Sequence, residues 1–273
     1  MVTIVDDDYT KLVDRVLQLH EELRGTRGQI DRYSESLSMI ERTMLPQKIP
    51  EVPGLDLAVY CSEVDGVGGD FFNVQQDGPH LWSIAMCDVS GHGLAAASIL
   101  TLVHALGTGM NGQSMPPSAG QALTAINKPL ATRYLANTGK FVTAFVGRYD
   151  AKSQVLTYAS AGHPPPRLVR GHVVHRLVGI PGLPLGVDET SAYEETTVQL
   201  LPGDRLILFT DGITESINEA HESFGDERLD EVVRAPVSRA ADLLSRIRGV
   251  LGIFRDGQPG IDDEACLVAL VKP

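Results

Sequence analysis

Apolar positions recur in steps of three and four along residues 9–44: Tyr9, Leu12, Val16, Leu19, Leu23, Thr26, Ile30, Tyr33, Leu37, Ile40 and Met44. The run makes an a/d heptad over about five repeats, with one polar miss at Thr26. Charged residues fill most positions in between. Two readings fit: a parallel dimeric coiled coil, or an amphipathic helix lying on its own domain. The strict 3.5-residue period favours a seam between helices. Gly25 and Gly28 weaken the middle, each by about 1 kcal/mol relative to Ala, and mark a hinge. Pro46, Pro50 and Pro53 then punctuate a linker. The expected organisation is an N-terminal dimerisation or regulatory helix over 1–44 and a compact domain over 45–273.

After the linker the period shortens. Strands are expected over Leu55–Val64 and Leu81–Cys87, then helices over about 93–109 and 118–136. Lys140–Tyr149 and Gln154–Ala159 read as a hairpin turning at Asp150–Ser153, and Arg167–Arg170 with His172–Leu177 as a second around Gly171. Gly179–Gly186 reads as a Gly/Pro loop and Tyr193–Leu200 as a strand. Arg205–Thr210 is an apolar strand ending at Asp211. Helices follow over about 226–234 and 238–253, with a final strand over Ala265–Val271. Strands in hairpins and helices in pairs predict an α+β layered domain of antiparallel sheets covered by helices.

The formal net charge is −12, from 35 acidic and 23 basic residues. That argues against nucleic acid or an anionic membrane as the main partner. The three cysteines, Cys61, Cys87 and Cys266, lie far apart in apolar runs. They form neither a disulfide framework nor a zinc site and suit buried thiols in a reducing compartment. The N-terminus lacks the basic and apolar segments of a secretory signal, and the expected location is the cytoplasm.

Candidate chemistry lies at strand ends. Asp88 closes the apolar run Ile84–Cys87 and precedes Gly91-His92-Gly93; taken alone it is as good a helix cap as a ligand. Asp70, Asp211 and the pair Asp262–Asp263 recur in the same setting, at the edges of apolar strands beside small residues. Carboxylates converging from strand ends are costly unless a cation neutralises them. Oxygen ligands without Cys or paired His suit Mg²⁺ or Mn²⁺. Separate turn aspartates remain the other reading of the spacing.

The ordered set Gly68-Gly69-Asp70-Phe71-Phe72, Asp88-Val89-Ser90-Gly91-His92-Gly93, Ala161-Gly162-His163-Pro164-Pro165, Gly182-Leu183-Pro184-Leu185-Gly186, Thr210-Asp211-Gly212-Ile213-Thr214-Glu215 and Asp262-Asp263 closely resembles the RsbU/SpoIIE-type branch of the metal-dependent (type 2C, PPM) serine/threonine protein phosphatases. The resemblance covers about residues 45–271. It implies a sandwich of two antiparallel β-sheets flanked by helix pairs. It also implies hydrolysis of phosphoserine or phosphothreonine by a water activated between two Mn²⁺ or Mg²⁺ ions. By resemblance Asp88 and Asp70 are the catalytic carboxylates. Asp88 bridges both metals, Asp211 and Asp262 serve one, and the Val89 carbonyl serves the other, which Asp70 reaches directly or through water. Asp262 stands ahead of Asp263, whose expected role is to cap the turn.

Two departures accompany the resemblance. Asn73 stands where the branch usually has Asp. Ser90 stands where eukaryotic relatives place the His that protonates the leaving group; His92 and His163 lie nearby without mapping onto that role. Arg133, Arg148 and Arg167 are candidates to meet the phosphate, with a solvated or structural role the favoured reading of each. The implied substrate is a phosphorylated STAS-domain anti-anti-sigma protein, so that dephosphorylation frees a sigma factor in a partner-switching stress response. The expected assembly is a homodimer through the N-terminal helix, gripped by a separate upstream activator. The alternative is a catalytically weak or inactive phosphatase-fold module acting as a regulatory binding partner.

Overall fold

The computed structural model describes residues 48–64, 66–107 and 118–273, together with helical positions 15, 18, 19, 22, 24–30, 32, 33, 35, 36, 38 and 39. Of the heptad, Leu19, Thr26, Ile30 and Tyr33 are helical and exposed. Tyr9, Leu12, Val16, Leu23, Leu37, Ile40 and Met44 lie outside the described residues, as does the pairing of two such helices.

The domain has four layers. One sheet takes β1 (Leu55–Ser62), β6 (Arg167–Arg170), β7 (Val173–Arg176), β10 (Arg205–Phe209) and β11 (Glu264–Val271), in the order β1-β11-β10-β6-β7. The other takes β2 (Asp70–Gln76), β3 (Leu81–Val89), β4 (Val142–Asp150), β5 (Val155–Ala161), the short β8 (Pro181–Gly182) and β9 (Thr196–Gln199). β8 runs parallel to the end of β5 and β9 antiparallel to its start. All other ladders are antiparallel.

Strand alternation assigns each side chain to one layer. Phe72, Val74, Ile84, Met86, Phe145, Leu206, Leu208, Leu267 and Ala269 fill the slot between the sheets. Burying each of the larger ones is worth about 1.5–3 kcal/mol. Phe71, Cys87, Val89, Ala144 and Val146 point the other way, onto α1 (Gly93–Gly107) and α2 (Ala119–Pro129). Ile207, Phe209, Cys266 and Val268 pack on the far side against α4 (Gly225–Arg234) and α5 (Ala240–Phe254). The short α3 (Asp211–Thr214) follows β10 directly.

Three expected boundaries shift for physical reasons. The helix read over 118–136 ends at Pro129, and Leu130–Tyr134 forms a wider π turn with Leu135 N–H donating to the Leu130 carbonyl at 2.8 Å. Proline offers no N–H to the helical ladder, which loosens the turn after it. The Gly179–Gly186 loop contains β8, and Asn127 ties the following residues down: Gly186 N–H donates to its Oδ1 at 2.8 Å while its Nδ2 donates to the Asp188 carbonyl at 2.7 Å. The strand read over Tyr193–Leu200 is shorter, Thr196–Gln199, because the buried Tyr193 turns away to pack on Gly182. Among the described residues no helix is long and apolar enough to cross a membrane.

Candidate metal centre

The site is the polar continuation of the inter-sheet slot. Asp70 opens β2 and faces Asp88 across the β2–β3 ladder. Asp88 in turn faces Thr143 on β4. All three share strand parity with the core residues Phe72, Met86 and Phe145, so their side chains enter the space between the sheets. The other sheet contributes Thr210 and Asp211 from the end of β10, and Asp262 and Asp263 from the start of β11. Because β11 lies between β1 and β10, the last strand of the chain meets the Gly68–Asp70 segment.

Burial of these carboxylates raises their affinity for protons. Asp88 is pushed up to about 7, first by burial and then by the charges of Asp211, Asp262 and Asp263. Asp70, 5% exposed, is raised well above the ordinary value by burial and then by Asp88; the Thr210 hydroxyl opposes this by donating to Oδ2 at 2.6 Å. Asp211 is raised by burial, then by Glu215 and Asp262. The charges that raise these three groups are all acidic. A site with this balance gains from a bound cation.

The two aspartates of the Asp262–Asp263 pair differ. Asp263 is 4% exposed and accepts from Val64 N–H at 2.9 Å and Gly69 N–H at 2.7 Å. Its oxygens thereby clamp the segment before β2. Asp262 is partly exposed, and one oxygen accepts from Asp263 N–H at 2.9 Å. Asp262 thus keeps oxygen capacity that Asp263 has spent on backbone.

Backbone geometry around Val89 depends on glycine. Val89 N–H donates to the Gly69 carbonyl at 3.1 Å. A Cβ on Gly69 would lie 3.0 Å from the Val89 carbonyl oxygen and 3.2 Å from Ala96 Cβ. The turn leaves β3 through Gly91 at φ +83° and Gly93 at φ +73°, conformations that glycine adopts without strain. Ser90 anchors it: its N–H donates to the Phe141 carbonyl at 3.0 Å, its Oγ accepts from Phe141 N–H at 3.0 Å, and its carbonyl accepts from Lys140 Nζ at 2.9 Å.

Among the described residues no three His, Cys, Asp or Glu side chains already stand as a closed ligand cluster. The donor chemistry nevertheless fits a hard divalent ion: carboxylates and a backbone carbonyl, with an excess of buried and partly buried negative charge to neutralise. Asn73 is outside this set. It lies on the helix-facing side of β2 with Phe71 and Gln75, the opposite parity from Asp70, so the charge missing there is missing away from the site.

The histidines and arginines sort themselves by burial. His163 is 4% exposed and lowered to about 3 by burial, so it carries no imidazolium proton at neutral pH. Its Nδ1 lies 3.0 Å from Thr143 Oγ1. His92 is exposed and His104 is half-buried, edge-on to the Phe71 ring. Arg167 is wholly buried, paired with Asp226 and Asp230 and lying over the Phe209 ring. Arg148 pairs with Asp77 and Arg133 lies over the Tyr134 ring. Residues not singled out from the sequence are Thr143, Thr210 and Lys140. Thr210 stands inside a quoted motif, whereas Thr143 and Lys140 sit in ordinary strand and turn contexts.

Comparison with known proteins gives the fold a lineage. "Phosphoserine phosphatase RsbU" of Bacillus subtilis is 28% identical over 204 residues, 74% of this chain and 59% of that protein. The chain spans roughly 40–60% of the length of the curated relatives it matches. Among solved structures, the SiaA-PP2C domain of Pseudomonas aeruginosa is similar at a TM-score of 0.76, with 21% identity over 89% of this chain and 97% of that one. The catalytic domain of the serine/threonine protein phosphatase PstP, in complex with 2 manganese ions, is similar at a TM-score of 0.58, with 18% identity over 80% of this chain and 99% of that one. Residues 78–272 match the family described as Stage II sporulation protein E (SpoIIE), and the chain belongs to that family.

Proposed function

We propose that the chain is a metal-dependent protein serine/threonine phosphatase working with two Mn²⁺ or Mg²⁺ ions. The observation that carries this reading is the set of carboxylates at the facing strand ends, Asp70 buried and Asp88 and Asp211 partly buried, whose raised proton affinities come from burial and from neighbouring acidic charges. Asp88 would bridge the ions, Asp211 and Asp262 would serve one, and the Val89 carbonyl with Asp70 the other. Bound there, the ions supply a water acidic enough to attack at neutral pH and a clamp for the phosphoryl oxygens. The chain's own residues orient and shield. The Thr210 hydroxyl fixes Asp70, and Thr143 faces Asp88 across the β3–β4 ladder and lowers its proton affinity. Ser90, Phe141 and Lys140 hold the turn that carries Val89, and Lys140 adds a positive charge to that turn.

The substrate reading is a phosphorylated STAS-domain anti-anti-sigma protein. Similarity to a relative named as a phosphoserine phosphatase supports the reaction class, and the RsbU-type motif order supports the partner. The helix over 1–44 would dimerise the chain and receive an upstream activator. Three cysteines outside any disulfide, two of them buried, suit the cytoplasm.

The test is phosphatase turnover on a generic phosphoester with Mn²⁺, with EDTA, and in Asp88→Asn. Turnover is expected with Mn²⁺ alone and loss in the other two arms. Equal turnover in Asp88→Asn, or none with Mn²⁺ in any arm, overturns the reading. A panel of phosphorylated STAS proteins then tests the partner, and light scattering of a chain lacking residues 1–44 is expected to give a monomer.

A further inference from the structure

Each of the two carboxylates that face one another across β2 and β3 has a threonine hydroxyl behind it, and each hydroxyl is itself held. For Asp70 the holder is backbone: Ala265 N–H donates to Thr210 Oγ1 at 2.8 Å, and Thr210 passes its own proton to Asp70 Oδ2 at 2.6 Å. For Asp88 the hydroxyl is Thr143, directly opposite in the β3–β4 register. Its holder is an imidazole, His163 Nδ1 at 3.0 Å.

The proton count ties the direction of this second chain to the tautomer of His163. A hydroxyl has one proton to donate. If Thr143 gives it to Asp88, His163 must donate to Thr143 from Nδ1 and carry its lone pair on Nε2. Nε2 is buried without a hydrogen bond of normal geometry, and the Phe209 backbone beside the ring raises its proton affinity. The opposite tautomer would let Nε2–H donate to that backbone, but would turn the Thr143 proton away from Asp88. The tautomer follows from the network rather than from an observed hydrogen.

We propose that His163 is a positioning residue for Asp88, acting through Thr143 to hold the carboxylate in the rotamer that faces the divalent ion. The inference rests on the metal reading of Asp88 given above. His163 is well placed for the task. Gly162, at φ +70° and tight against Pro184, and the Pro164–Pro166 run that follows leave the imidazole little freedom. The ring is 4% exposed and sits behind the carboxylate rather than in solvent. Loss of a partner that orients a ligand typically weakens metal binding by about 10–100-fold.

Calorimetric titration with Mn²⁺ tests this without requiring turnover. Thr143→Val is expected to weaken Mn²⁺ binding by about 10–100-fold, and Thr143→Ser to bind like wild type. His163→Leu should weaken binding in the same direction, and His163→Asn, whose amide nitrogen can occupy the Nδ1 position, should recover it. The double variant Thr143→Val/His163→Leu should bind no worse than Thr143→Val, because the imidazole acts through the hydroxyl. Wild-type affinity in His163→Leu, or a full additional loss in the double variant, overturns the proposal. Should His163→Leu fail to fold by circular dichroism in EDTA, the comparison of His163→Asn, Thr143→Val and Thr143→Ser decides instead: equal affinities in all three overturn it. Absence of Mn²⁺ binding by wild type would overturn the metal reading itself, a result distinct from either.

Discussion

The two adjacent aspartates before β11 are expected to fail differently when removed. Asp263→Ala strips the acceptor from two buried donors, Val64 N–H at 2.9 Å and Gly69 N–H at 2.7 Å. A buried donor left without a partner costs about 1–3 kcal/mol, so the pair amounts to about 2–6 kcal/mol. Part of this is offset, because the Asp263 charge also repels Asp70 and Asp88. The expected loss therefore falls in the lower part of the range, about 2–4 kcal/mol, a large share of a typical domain stability. Asp262→Ala removes one hydrogen bond from a partly exposed carboxylate and should cost only about 0.5–1.5 kcal/mol. Its effect should appear in Mn²⁺ binding instead. Urea unfolding in EDTA, followed through the single tryptophan Trp82 at 6% exposure, measures the first quantity. Titration with Mn²⁺ measures the second. The reasoning is refuted if Asp263→Ala is no less stable than Asp262→Ala, or if Asp262→Ala keeps full Mn²⁺ affinity while Asp263→Asn loses it.

Two further outcomes follow from the same geometry. The metal-free protein should lose stability as pH rises: Asp88 goes from 3.8 to about 7 on folding, with Asp70, Asp211 and Asp263 raised as well. The folded state holds these protons better than the unfolded chain, so the contribution is full below the unfolded value and disappears through the folded one. Urea midpoints in EDTA should accordingly fall from about pH 5 to about pH 8, with Mn²⁺ restoring stability at the higher pH; a midpoint in EDTA that rises over this range contradicts it. Gly212→Ala should destabilise the joint between α3 and β11, since its Cβ would come within 2.0 Å of the Asp263 carbonyl oxygen. Overpacking of this kind costs about 1–3 kcal/mol or more, and an unchanged melting temperature would argue against the contact.

Most of the layers can be read from the chain because each strand carries its own alternation. Phe71, Phe72 and Val74 already divide β2 into a helix-facing and a sheet-facing side, and the same parity shows that Asn73 points away from Asp70. Local pattern also exposes lone carboxylates at strand ends. Which of them share a site is a different question, since it depends on which strand ends meet. Asp70 and Asp88 belong to one sheet and Asp211 and Asp262 flank strands of the other. Their meeting depends on β11 lying between β1 and β10, a pairing between the last strand of the chain and one more than 190 residues earlier that no local period encodes. The ordered motifs carry that information where periodicity cannot. The same limit hides Thr143. Nothing in Phe141-Val142-Thr143 marks a functional hydroxyl, and its place opposite Asp88 comes from the β3–β4 register. Register also explains how His163 can matter without touching an ion. Strands bring Asp88 and Thr143 together, and the Gly162–Pro166 turn after β5 brings the imidazole behind them, buried and neutral.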